Sequence, residues 1–230
     1  MWPLTDAELE ALALSARISA AAVALGLPPA IAVALLLARG RFPGRALLNS
    51  VVHLPLVLPP VVIVYLLLVI FGTRGPVGSW LYDTLGLRLV FSWTGAALAA
   101  AVVTFPLQVR SIRQALEAVD PRLELAAETL GAGRFDRFAT ITLPLMLPGI
   151  VVGAVTAYAA SLGEFGAIIT FVSNVPGETR TLPLAIYTAI QTPGGELAAA
   201  RLATLSIALA LTELLLAEVA RRWTRRLADL

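Results

Sequence analysis

The sequence predicts an all-α membrane protein with five transmembrane helices, and three observations carry that prediction. Apolar residues make up 58% of the 230 positions and charged residues 14%, whereas soluble domains carry about a quarter charged residues. Mean hydropathy is +0.85. The apolar residues gather in five runs, and the arginines gather between the runs.

The first run, Ile18 to Ala38, has Gly26, Pro28 and Pro29 in its middle, where a kink is expected, and Arg17 can snorkel from its end. The acidic stretch before it has neither the basic region nor the small-residue cleavage site of a signal peptide, so this run is expected to be retained. Arg39, Arg41 and Arg45 then precede a second run, Leu47 to Phe71, interrupted by Pro55, Pro59 and Pro60. A polar, glycine-rich and aromatic stretch covers Gly72 to Ser92. The third run, Trp93 to Val109, closes on Arg110 and Arg113. The fourth goes from Leu145 to Leu162 and the fifth from Leu202 to Val219, before RRWTRR. LPLVLPPVV from Leu54 and LPLMLPGIV from Leu143 echo each other, short enough to be a coincidence of Leu and Pro or a pair of broken helix entrances. The chain thus reads as one transmembrane domain, 1–230, with spans at about 18–38, 47–71, 93–109, 145–162 and 202–219.

All seventeen basic residues are arginine, and twelve of them fall on one side of these spans. The other side has five: Arg17, Arg74, Arg88, Arg180 and Arg201. The positive-inside rule puts the N-terminus outside and the C-terminus, with the loop after the third run, in the cytoplasm.

That loop, 120–144, carries the most informative pattern. Asp120 is a good N-cap and Pro121 a good first helical residue; Leu123, Ala126, Ala127 and Leu130 recur as one apolar stripe. Gly131 ends the helix in the left-handed conformation, and a second short helix is expected from Arg134 to Thr142, before Pro144. Adjacent alanines on the stripe permit close approach to a groove of another protein.

Ala126-Ala127, three residues, Gly131, nine residues, Ile141, one residue and Leu143-Pro144 resembles the cytoplasmic coupling loop of ABC importer permeases. The acidic residue of that loop stands here at Glu124, with Leu125 directly before the alanines. HLPLVLPPVV from His53, SLGEFGA from Ser161 and FVSNVPGETRTLP from Phe171 are similar to the molybdate branch of the same family. The resemblance implies a type I importer permease in the cell inner membrane, passing molybdate and tungstate by alternating access. It implies as partners two copies of an ABC ATPase bound at the coupling loops, a periplasmic or extracellular molybdate-binding protein and membrane lipid. Sulfate or another oxyanion is the alternative substrate. A channel or secondary carrier independent of an ATPase is the alternative class.

Five spans are too few to enclose a selective pathway, so a homodimer is expected. With no cysteine and one histidine, Cys-ligated metals and His clusters are excluded. No nucleotide-binding loop, catalytic triad or paired carboxylate site is present, so neither an enzyme, a cofactor nor a nucleic-acid partner is expected. Two positions remain as gate or pathway candidates. Glu164, bracketed by Gly163 and Gly166, reads equally as a gate residue or as a carboxylate capped by backbone at the outer interface. His53 can titrate or line the path, or it can satisfy a carbonyl freed by Pro55 and Pro59. Glu213 and Glu218 read as interfacial partners of nearby arginines, Glu218 facing Arg221 and Arg222. The polar segment Val172 to Thr192 suits a solvated loop or an outer docking surface.

Overall fold

The computed structural model describes residues 4–228, with the side chains of 216, 217 and 220–228 outside the description. The described residues form eleven α-helices: α1 (Asp6–Arg39), α2 (Arg45–His53), α3 (Pro60–Phe71), α4 (Pro76–Leu85), α5 (Trp93–Glu117), α6 (Pro121–Thr129), α7 (Arg134–Arg137), α8 (Leu143–Leu162), α9 (Gly166–Val172), α10 (Leu182–Gln191) and α11 (Glu196–Ala228). A 3₁₀ turn at Leu54–Leu56 and a π turn at Phe138–Thr142 complete the order. Four helical segments among the described residues are long and apolar enough to cross a membrane. The pair Arg45–Leu56 and Pro60–Phe71, bent by 111°, makes a fifth if it counts as one span.

α1 starts where its capping box dictates: the Thr5 hydroxyl accepts from the Glu8 N–H, and Glu8 Oε2 accepts from the Thr5 N–H at 2.8 Å. It runs unbroken through Pro28 and Pro29. The second run does break, because Pro55 sits in the 3₁₀ turn and Pro59 and Pro60 open α3, where missing N–H groups cannot continue the ladder. The two echoing stretches therefore have different structures: the first lies across this bend, the second inside continuous α8. α4, α9 and α10 occupy stretches that the sequence reading treated as irregular.

Small residues hold the bundle together. Ala22, Gly26, Ala30 and Ala34 recur every fourth position on α1, all buried. Ala22 packs with Ala100 and Ala101 of α5, Gly26 meets Gln108, and α8 presents Gly149 and Gly153 to α5. In a bilayer, lipid is as apolar as the core, so close backbone approach and dispersion decide which helices associate. Gln108 is fully buried and donates through Nε2 to the Val23 carbonyl at 3.4 Å. Around this axis Ile18, Ile63, Val64, Ile168 and Phe171 form one apolar cluster, and Leu37, Val109, Ile112 and Met146 form another.

Polar links fix the ends. Ser15 Oγ donates to the Ala11 carbonyl and accepts the Leu182 N–H at 2.6 Å, joining α1 to α10. Arg201 on α11 pairs with buried Glu8 at 2.9 Å, and the Arg17 guanidinium lies 3.8 Å from the Trp93 ring centre. Glu213 is not the interfacial partner that the sequence suggested. It is 8% exposed, and its Oε1 has no hydrogen-bond partner. The expected contacts of Glu218 with Arg221 and Arg222 involve arginine side chains outside the described residues.

Candidate functional site

The loop between α5 and α8 is built from local rules. Asp120 Oδ1 accepts the Arg122 N–H at 2.9 Å, Pro121 takes the first turn, and α6 follows. After Thr129 the chain closes in a double turn: the Gly131 N–H bonds the Glu128 carbonyl and the Ala132 N–H bonds the Ala127 carbonyl, both at 3.0 Å. This is a Schellman cap, and Gly131 takes the left-handed conformation that it requires, with φ of +87°.

The segment after Gly131 differs from expectation. Instead of a separate short helix stopped before Pro144, Arg134–Leu162 is one helical segment of 29 residues. Pro144 does not end it. The π turn lets the Leu143 N–H bond the Phe138 carbonyl five residues back, and Pro144 enters α8 in its first turn, where a missing N–H costs little.

The stripe on α6, expected to be buried in a partner's groove, is open in the isolated chain. No residue of α6 is buried. On the stripe Leu123 is 48% exposed and Leu130 88%; outside it Leu125 is 59% exposed and Phe135, which the sequence reading passed over, 80%. Ile141 is half-buried, whereas Leu143 and Pro144 lie on the exposed side at the start of α8.

Glu124 alone among the loop's acidic groups is tied back into the bundle. Arg39, the last residue of α1, holds it with both terminal nitrogens: Nη1 donates to Oε2 at 3.0 Å and Nη2 to Oε1. The buried Thr142 hydroxyl donates to the same Oε1. Burial alone would raise the Glu124 carboxyl, but the Thr142 hydroxyl, Arg39 and the charge of Arg137 outweigh it and hold the group below its ordinary value. Arg137 in turn pairs with Glu128. The sequence reading missed Arg39 and Thr142; the signal for Arg39 was its place in the last turn of α1, before an arginine-rich loop.

At the other end of α8, Gly163 follows the helix and Glu164 folds back. Its N–H bonds the Ser161 carbonyl and its Oε1 accepts the Ala167 N–H at 2.8 Å, so the carboxylate caps α9. Gly166 packs on the bend in the second run: a Cβ added there would lie 3.3 Å from Pro60. The Phe165 and Tyr187 rings also meet, tilted by 54° with centres 5.1 Å apart. His53 is not brought to this cluster by any bond. Its Nδ1 bonds the Asn49 carbonyl at 2.8 Å within its own helix, not a carbonyl freed by the prolines, because the Val51 carbonyl takes the Leu54 N–H.

Residues 30–228 match the model of the family described as binding-protein-dependent transport system inner membrane component. The chain belongs to this family. Among relatives of this inner membrane component, the molybdenum transport system permease protein ModB of Escherichia coli (strain K12) is 63% identical over 225 residues, 98% of each chain. ModB of Haemophilus influenzae is 54% identical over 223 residues, covering 96% of this chain and 97% of that one. The fold is that of the type I ABC importer permeases: the crystal structure of a bacterial alginate ABC transporter in complex with an alginate pentasaccharide-bound periplasmic protein superposes with a TM-score of 0.74 at 22% identity, over 96% of this chain and 80% of that one.

Proposed function

We propose that this chain is the transmembrane permease subunit of an ATP-driven importer that passes molybdate, and tungstate with it, across the inner membrane. The observation that carries the reading is the near-full-length similarity, 63% identity over 98% of both chains, to a molybdenum permease. The exposed stripe and Schellman turn of 120–144 support a docking role for that loop. Two copies of the chain would form the pathway, each loop seated in one ATPase subunit, with an external binding protein delivering the anion. Within the loop, Glu124, Ala126, Ala127, Gly131, Ile141, Leu143 and Pro144 take the coupling role. Glu164, flanked by Gly163 and Gly166 against the bend at Pro60, takes the outer gate; hydrogen bonding, not anion binding, suits a carboxylate there. ATP binding would draw the ATPase pair together and swing the spans between inward-open and outward-open.

Sulfate is the second reading, favoured by 38% identity over 159 residues to the sulfate transport system permease protein CysT of Escherichia coli. Proteoliposomes decide both. Molybdate uptake should require ATP, the ATPase and the binding protein together, and excess sulfate should compete poorly. Uptake without ATP would make the chain a channel or secondary carrier instead.

A further inference from the structure

The geometry points to Glu124 as a positioning residue that ties the coupling loop to two spans at once, rather than as a contact for the ATPase. The inference rests on the importer reading above. Three elements converge on one carboxylate: the end of α1 through Arg39, the first turn of α6 through Glu124 itself, and the turn that leads into α8 through Thr142. Both carboxylate oxygens are engaged, Oε1 twice and Oε2 once. The helix ends favour the arrangement, because an acid near a helix N-terminus and a base near a C-terminus each match the local dipole. The stripe left open on the loop is apolar, with Leu123 and Leu130 exposed. A partner seated on that face pushes α6, and the bidentate guanidinium–carboxylate pair passes the push to α1 while the Thr142 bond passes it to α8. Without the pair, α6 remains capped by Asp120 and Gly131 and still docks, but the spans follow it less.

The test uses the permease with its ATPase and molybdate-binding protein in proteoliposomes. Molybdate uptake, ATP hydrolysed per molybdate and ATPase retained on tagged permease are measured together. Glu124→Gln keeps the shape and an acceptor for Thr142, and is expected to raise ATP hydrolysed per molybdate by about fivefold or more with ATPase retention unchanged. Arg39→Gln should do the same, and the double variant should be no worse than either single one. An unchanged ratio in Glu124→Gln and Arg39→Gln would overturn the assignment. So would uptake and ATPase retention falling together, because Glu124 would then be part of the docking face. Should Glu124→Gln fail to insert, Arg39→Gln and Thr142→Val decide the question by the same ratio. A parent protein that takes up no molybdate with ATP overturns the importer reading, and does so before any variant is made.

Discussion

A Cβ placed on Gly149 would lie 2.3 Å from the Cβ of Ala115 and 2.8 Å from the Ser111 carbonyl oxygen, so α8 and α5 meet there at backbone distance. Neither obstacle can turn aside. Gly149→Ala is therefore expected to cost about 1–3 kcal/mol by overpacking. Gly26→Ala should cost less, since its nearest obstacle, 2.7 Å away, is the end of the Gln108 side chain. Thermal unfolding of the two variants in detergent checks the order. A Gly26→Ala variant hurt as badly as Gly149→Ala would refute the packing argument.

A Cβ on Gly131 would meet nothing within 4 Å, so only backbone strain opposes a side chain there. Gly131→Val is expected to cost about 1–2 kcal/mol locally and to misdirect the segment from Arg134, leaving the spans inserted while uptake collapses. Gly131→Asn, which tolerates the left-handed region, should retain most uptake. Normal uptake by a well-inserted Gly131→Val protein would remove 120–144 from the coupling role.

Glu124 sets a pH dependence whose sign is fixed. Its folded value lies below the ordinary 4.5, so its contribution is complete above that value and is lost as pH falls through the lower folded one. Protease cleavage at Arg122 and Arg134 should stay constant from about pH 8 to pH 5.5 and quicken only in stronger acid. Glu124→Gln should cleave faster than the parent at all pH values above the acid step and lack that step. A variant with the parent's profile would show that another group titrates.

Glu213 is buried with one oxygen unpartnered, an arrangement that favours replacement by an apolar side chain of similar length. Glu213→Met should leave insertion intact and stabilise the isolated subunit by about 1–3 kcal/mol, read as a rise in Tm. A fall in Tm would refute the argument, because the carboxyl would then make a favourable contact within the subunit.

Reporter fusions test orientation. A tag after Leu230 and another between Arg41 and Arg45 should both report from the cytoplasm, as twelve of seventeen arginines require. A periplasmic signal from either would invert the topology.

The sequence showed most where rules are local. Asp120, Pro121 and Gly131 bound α6 through contacts within a few residues, and the helix begins and closes as they predict. The break at Pro59-Pro60 was legible for the same reason. α4, α9 and α10 were not, because they are short and lie among glycines and polar residues, where tertiary packing decides between helix and loop. The partners of Glu124 were hidden by distance along the chain, Arg39 being 85 residues away. The open stripe that ends at Leu130 was legible as a face for another protein's groove, but the exposure of Phe135 was not, since a lone aromatic looks alike whether it packs inside the chain or stands out from it.

The continuity of Arg134–Leu162 carries a mechanical corollary. At about 1.5 Å per residue, its 29 residues make a rod that begins in the loop and ends beside Glu164, and Gly149 and Gly153 bear on α5 near its midpoint. A seesaw with a central fulcrum moves its tips oppositely. If this one tilts, a pull at the inner tip appears as a swing the other way at the outer tip. Opening on one face and sealing on the other are then a single displacement, with no separate linkage needed to keep both faces from opening at once.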